Sequence, residues 1–579
     1  MKITMWLILT ALILPLFGFL FAGRRRSSNM FQHFTAGKSS PWFLLGCSAA
    51  VTSISSDTPV LVAGAFYQNG IAGNWFWLAG VPGALATLIF FANLWRRSGV
   101  LTAAELIPLR YGDSHPINAT YRKLNALLDA GICNVLVLTS VIYAFLMLLT
   151  LLLEQTSLPA GFSVGLTARL CTALVILVVI IYTLRSGFKA VIRTDLIQFV
   201  VVLFISISVC IGVLWTGLND FGNWRNLTAQ LPDRHQWFSP GTLTDHSFWL
   251  LALFGWWYIA PGSGLFVQRL IAARNEYEAS LTSLTYIIIH YVLRVWPWFI
   301  VGALALVYLP DQHHNEFIYF DMAREIMPGS GIILLLVAFI ASFMSTLDSR
   351  LNWAASYFVN DICYQHIDRR KHWASIVERA SIIGLITLAF VIALSDFAIS
   401  IIGIYKLLFT LQAGRSVAVI ARWYWWRMTI YAELAAMLSS LICGAVLFCS
   451  MNTDQQFALM ITINMAISGC VTVITAALTS RHGPAATDIQ FQRQTRVTGP
   501  GWNRVTRHNS LHHQPHGLRH LVTLWLLSIV VIYSLFSLIA AVLMFSTLAI
   551  SISAMLLILS AWFIYQITST AKFNAVVSN

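Results

Sequence analysis

The sequence predicts an all-α polytopic membrane protein built around two inverted five-helix repeats, with extra helices at both ends. Three observations predict it. The 579 residues are 58% hydrophobic and only 10% charged, with a mean hydropathy of +0.73, far outside soluble composition. Apolar stretches long enough to cross a bilayer recur along nearly the whole chain. Two of them, five helices apart, are interrupted by Pro or Gly at similar depth.

Hydropathy gives about fifteen helices, near 3–22, 41–66, 72–96, 121–154, 162–186, 193–217, 247–272, 278–308, 329–363, 374–396, 398–421, 430–450, 455–479, 519–543 and 545–569. The first has one early Lys and no small-residue cleavage site before Arg24, so a retained helix is expected, not a signal peptide. Ser395-Asp396 divides the apolar run 374–421, and Phe545-Ser546-Thr547 divides 519–569. Residues 1–40 are then an extra helix and loop, 41–217 the first repeat, 218–246 an outer loop and 247–421 the second repeat. Two further helices fill 422–479, a basic linker 480–518, and a helical pair with a tail 519–579. His508, His512, His513 and His516 in the linker match no standard metal spacing, so a solvated linker is expected; His313-His314 read the same way.

Charge asymmetry orients these helices. One alternating set of loops carries roughly 27 Lys and Arg and the other about 4, so the first set should be cytoplasmic. That puts the N-terminus outside and the C-terminus inside. The net charge of +13 is therefore a topology signal, and no basic soluble domain for nucleic acid is present. Seven of the eight Cys fall in apolar spans and behave as small hydrophobes; Cys363 sits at an edge.

The two interruptions mark the centre. Helix 41–66 carries Thr52-Ser53-Ile54-Ser55-Ser56-Asp57-Thr58-Pro59 in mid-membrane, and helix 247–272 carries Ala260-Pro261-Gly262-Ser263-Gly264. Proline removes a backbone donor, and neighbouring hydroxyls offer alternative partners to freed carbonyls. Such paired breaks point to an inverted-repeat transporter, with substrate held beside them. Helix 329–363 adds a polar stripe, Ser342, Ser345, Thr346, Ser349, Asn352 and Ser356, at spacings of three and four. A hydroxyl stripe in a membrane helix suits a small hard cation that must bind and then leave.

Three motifs resemble the sodium:solute symporter family, which includes proline, glucose and pantothenate carriers. They are Arg97-Ser98-Gly99-Val100-Leu101-Thr102-Ala103-Ala104-Glu105 through Arg110-Tyr111-Gly112; Tyr182-Thr183 with Gly187, Ala190-Val191 and Thr194-Asp195-Leu196-Ile197-Gln198; and Ser345-Thr346-Leu347-Asp348-Ser349 with Leu351-Asn352 and Asp361-Ile362. The resemblance implies a LeuT-type core and a Na⁺ site formed by the carbonyls of Val51, Ile54 and Ser342 and the hydroxyls of Ser345 and Thr346. Val51 and Ser342 stand where the family often has Ala, a minor departure for residues acting through backbone oxygen. For Asp195 two readings stand: an exit point for sodium, or an acid at a helix start favoured by the dipole. Glu105 and Arg110 are expected to pair, Asp348 and Arg350 to pair elsewhere, and Ser349, Asn352 and Ser356 to pack.

Candidate substrate-binding residues are Ser55, Ser56 and Asp57 on the first broken helix and Trp256, Trp257, Tyr258 and Ser263 on the second, with Gln268 and Gln412 nearby. Asp57 disfavours a purely anionic solute and suits a sugar, amino acid or similar small molecule. The expected function is sodium-coupled symport into the cell by alternating access; a solute sensor and a proton-coupled carrier on the same fold are the rivals. No nucleophile–base or metal constellation suggests an enzyme. Partners are a small-molecule solute and membrane lipid, with oligomeric state open. The expected location is the plasma membrane, the inner membrane in a bacterium. Asn226-Leu227-Thr228 has the form of a glycosylation acceptor, relevant only in a eukaryotic host.

Overall fold

The computed structural model describes residues 30–112, 116–154, 163–185, 187–231, 246–257, 261–310, 316–327, 329–363, 371–395, 400–509, 518–543 and 547–577. The helix expected at 3–22, Tyr258 and His313-His314 lie outside them, as do the side chains of the four linker histidines. Every regular element among the described residues is helical.

In chain order the principal helices are α1 (Trp42–Thr52), α2 (Asp57–Gly73), α3 (Ala92–Ser98), α4 (Asn134–Leu153), α5 (Val164–Arg185), α6 (Phe188–Phe221), α7 (His246–Phe254), α8 (Phe266–Ala272), α9 (Glu276–Ile287), α10 (Trp296–Tyr308), α11 (Gly329–Tyr357), α12 (Lys371–Ala393), α13 (Ile401–Gln412), α14 (Arg415–Tyr424), α15 (Ile430–Ser450), α16 (Thr453–Thr479), α17 (Ala486–Thr495), α18 (Asn503–Asn509), α19 (Leu518–Leu543) and α20 (Thr547–Val577). Among the described residues eleven helices are long and apolar enough to span a membrane. Two further spans are bent pairs, α1–α2 at 63° and α13–α14 at 49°.

The first break has a local cause. Thr52 Oγ1 donates to the Ser48 carbonyl at 2.7 Å and Ser53 Oγ to the Ala49 carbonyl at 3.0 Å, so hydroxyls compete with the ladder as α1 ends. Pro59 is not the breaking residue. It lies in the first turn of α2, where its missing donor leaves no hydrogen bond unmade. The second break separates α7 and the short turn Gly255–Trp257 from α8, with Gly262 and Gly264 at positive φ.

A third break was not expected. The apolar run 398–421 bends at Ala413-Gly414, where a Cβ on Gly414 would lie 2.3 Å from Ser468 Oγ and 2.6 Å from Asn464 Oδ1. Only glycine lets the chain pass α16 that closely.

The chain divides into two compact units. Unit 1 comprises Met1–Trp75, Asn125–Thr244 and Leu293–Leu408. In it α6 packs on α1 and α11, α4 on α12, and α10 on α2. Unit 2 comprises Phe76–Leu124, Asp245–Val292 and Phe409–Asn579. Here α15 pairs with α16 and α19 with α20, and α19 sends Ile532 into a cluster with Val81, Leu85, Ile287, Tyr291 and Val292. The expected solvated linker is largely folded: α17, the turn Pro500–Trp502 and α18 occupy much of it, and Phe491, Trp502 and Val505 are fully buried. Those three apolar side chains in a basic stretch need a core, and they find one within unit 2.

Candidate functional site

The site is built where α1, α6 and α11 meet inside unit 1. Helix α6 begins at Phe188, so Asp195 stands two turns inside it rather than at its start. The dipole effect fades within the first turn, which removes the N-terminal-acid reading of this residue. Asp195 is fully buried, and three hydroxyls donate to its carboxylate. Ser48 Oγ reaches Oδ2 at 2.5 Å, Ser345 Oγ reaches Oδ1 at 2.6 Å, and Ser349 Oγ lies 3.5 Å from Oδ2. Thr52 Oγ1 adds a bond to Ser349 Oγ at 3.1 Å, and Thr346 Oγ1 donates to the Thr52 carbonyl at 3.3 Å, across to the end of α1. The stripe on α11 therefore faces the broken helix.

Ser349 thus belongs to the Asp195 cluster, contrary to the packing role expected of it. Ser356 does bond back to its own helix, at the Trp353 carbonyl. Ser342 Oγ likewise turns to the Phe339 carbonyl at 3.0 Å. The Val51 carbonyl accepts from Ile54 N–H at 2.8 Å. Two residues here escaped the sequence reading, Ser48 and Arg294. Arg294 Nη1 donates to the carbonyls of Ser53 at 2.8 Å and Ala50 at 3.4 Å, tying down the broken end of α1. Its signal was an arginine inside an apolar span, where ionisable groups are functional by default.

The donor set suits sodium. It is all oxygen, hydroxyl and carbonyl, with the Asp195 carboxylate one hydrogen bond beyond Ser345, the chemistry of a hard cation bound with modest affinity.

The proposed substrate residues divide between the units. Ser55, Ser56 and Asp57 lie in unit 1. The Asp57 carboxylate accepts from Ser55 Oγ, from Ser140 Oγ at 3.0 Å and from Tyr405 OH at 2.9 Å, while Ser56 Oγ donates to the Val141 carbonyl at 2.9 Å. Trp256, Trp257, Ser263, Gln268 and Gln412 lie in unit 2. The rings of Trp256 and Trp257 approach to 4.4 Å, and the buried Gln268 accepts from Arg269 at 3.2 Å.

Glu105 and Arg110 do not pair. Glu105 sits four residues after Leu101 and accepts its backbone N–H at 2.5 Å. Arg110, 1% exposed, meets Asp488 of α17 at 2.5 Å and donates to the carbonyls of Arg422 and Trp426 at 3.0 and 2.9 Å. The rings of Tyr111, Phe491 and Trp502 flank its guanidinium at 5.0–5.3 Å. Arg422 pairs with Glu433 at 2.5 Å, and Tyr111 OH donates to the same carboxylate. Burial, reinforced by Glu433, pushes the Tyr111 hydroxyl up, which keeps it a donor.

The profile of the sodium:solute symporter family matches residues 33–443. A sodium/pantothenate symporter of Haemophilus influenzae is 25% identical over 73% of this chain and 85% of its own length. A sodium/glucose cotransporter of Vibrio parahaemolyticus is 24% identical over 64% of this chain and 70% of its own. Among solved structures, a Na⁺-coupled sialic acid symporter in a substrate-bound outward-open state superposes with a TM-score of 0.65 at 21% identity, covering 83% of this chain and 99% of that one. That likeness shows the fold, a five-plus-five inverted-repeat core with added helices.

Proposed function

The chain belongs to the sodium:solute symporter family, and from that premise we propose how its residues couple sodium to a solute. It is a multi-pass membrane transporter, not an enzyme, that carries a small solute with Na⁺. Sodium binds between the α1 break and α11, on the carbonyls of Val51, Ile54 and Ser342 and the hydroxyls of Ser345 and Thr346. The observation that carries this reading is the convergence of α11 hydroxyls on α1, with Thr346 3.3 Å from the Thr52 carbonyl. An ion there bridges the two helices and favours the arrangement in which they are joined. Substrate must then raise sodium affinity by the same factor that sodium raises substrate affinity.

Asp195 is one hydrogen bond from Ser345, so an ion leaving the hydroxyl pair meets a carboxylate next. It supplies the charge that draws sodium off the neutral site and along the inward path. Asp57, supported by Ser140 and Tyr405 and flanked by Ser55 and Ser56, contacts the solute. A sugar, amino acid or similar hydroxyl- or amine-bearing solute suits a carboxylate there. The positive loops face the cytoplasm, with the N-terminus outside and the C-terminus inside, in the inner membrane of a bacterium. The family assignment favours this reading over the sensor and the proton-coupled carrier.

The test is solute uptake into proteoliposomes under an imposed sodium gradient. The double variant Ser345→Ala/Thr346→Ala removes two oxygen ligands and should raise the sodium concentration for half-maximal uptake by about tenfold or more. Unaltered sodium dependence would refute the site.

A further inference from the structure

A cluster of guanidiniums at the edge of unit 2 has no part in the coupling site. At the open end of the α15–α16 hairpin, where α15 starts and α16 ends, the Thr429 and Thr479 hydroxyls lie 2.7 Å apart. Arg427 donates from Nε and Nη2 to Ser480 Oγ at 3.1 and 2.8 Å. Arg504 of α18 donates to the carbonyl of His482, two residues after Ser480, at 3.4 Å. Arg481 lies between those two anchor points. All three side chains are exposed, and among the described residues none of the three forms an ion pair. Three segments thus bring like charges around residues 480–482, and an anion bound among them relieves their mutual repulsion.

The surface beside them says which anion. Both α15 and α16 are membrane spans, so the end at which α15 starts and α16 stops sits at the level where a bilayer ends. On α16, Ile474 and Leu478 share one face, 59% and 81% exposed, and that face leads directly to Arg481. Tyr431 is exposed at the start of α15, the amphipathic ring expected at an interface. An apolar stripe ending in three guanidiniums matches an acyl chain ending in a phosphate.

We propose that Arg427, Arg481 and Arg504 bind the phosphate of an anionic phospholipid whose acyl chain lies along Ile474 and Leu478. Guanidinium is the group of choice for such phosphate contact, and juxtamembrane basic clusters recognise anionic lipid. This site is independent of the coupling mechanism, and its test needs no transport readout.

The purified full chain is placed in nanodiscs of phosphatidylcholine with a minor fraction of phosphatidylglycerol, and retained lipid is measured by native mass spectrometry. Wild-type protein should retain phosphatidylglycerol and melt at a higher temperature than in phosphatidylcholine alone. The triple variant Arg427→Gln/Arg481→Gln/Arg504→Gln should lose both effects, while Arg225→Gln, an exposed control elsewhere, should keep them. The single variant Arg481→Gln should weaken phosphatidylglycerol binding about fivefold, and it carries the test alone if the triple variant does not fold. Undiminished retention in either variant would overturn the site. Equal stabilisation by inorganic phosphate or glycerophosphate would overturn the lipid as its ligand.

Discussion

The buried carboxylates Asp195 and Asp488 occupy opposite chemical settings. Hydroxyls of Ser48, Ser345 and Ser349 donate to Asp195. Asp488 is held by the guanidinium of Arg110, which is itself anchored on two carbonyls and three aromatic rings. A hydroxyl keeps lone pairs when it donates, so it can also ligate a cation; a guanidinium has no acceptor. The first cluster can therefore exchange partners at little cost, and the second cannot. On the proposed function, the difference separates a centre able to pass an ion from one that holds helices together.

The largest predicted effect lies in the second cluster. Arg110→Ala strands Asp488 in a buried site and should cost about 3–5 kcal/mol of stability, read as a fall in melting temperature. Arg110→Lys should not restore it, because a point charge cannot replace the fork that reaches a carboxylate and two carbonyls. A folded fraction of Arg110→Lys should show wild-type sodium dependence. A shift in that dependence would erase the contrast.

Next comes Asp195→Asn. It keeps the shape and removes the charge, and sodium-driven uptake should slow on the order of a hundredfold. Thermal stability should change far less than in Arg110→Ala. The reverse ranking would make Asp195 a structural acid.

Tyr405→Phe removes one donor to Asp57 and should weaken apparent solute affinity about fivefold with unchanged sodium affinity. A change in sodium affinity alone would move Asp57 out of the solute site. The smallest effect is expected for Ser349→Ala, about two- to threefold in sodium affinity, since its 3.5 Å contact with Asp195 is the longest of the three.

The parts of this contrast that sequence made legible are local ones. The hydroxyl run before Pro59 announced a break, and the spacing of Ser342, Ser345 and Ser349 announced a face, because both depend on neighbours within a few residues. Ser48 could not be found that way, since its partner Asp195 is 147 residues distant. The Arg110–Asp488 bond spans 378 residues and displaced the nearby Glu105, which sequence proximity favoured. Composition also misled over the linker: its charge suggested solvation, whereas Phe491 and Trp502 required burial. The close passage of Ser468 past Gly414, beside the bend, is a packing fact invisible in an apolar run.

The central claim is that the α11 hydroxyls bind the coupling ion. Equilibrium binding of radioactive ²²Na⁺ to the purified protein tests it most directly. Wild-type protein should show saturable binding, Arg110→Lys should retain it in whatever fraction folds, and Ser345→Ala/Thr346→Ala should weaken it about tenfold or more. Saturable binding of wild-type strength in the double variant would contradict the account.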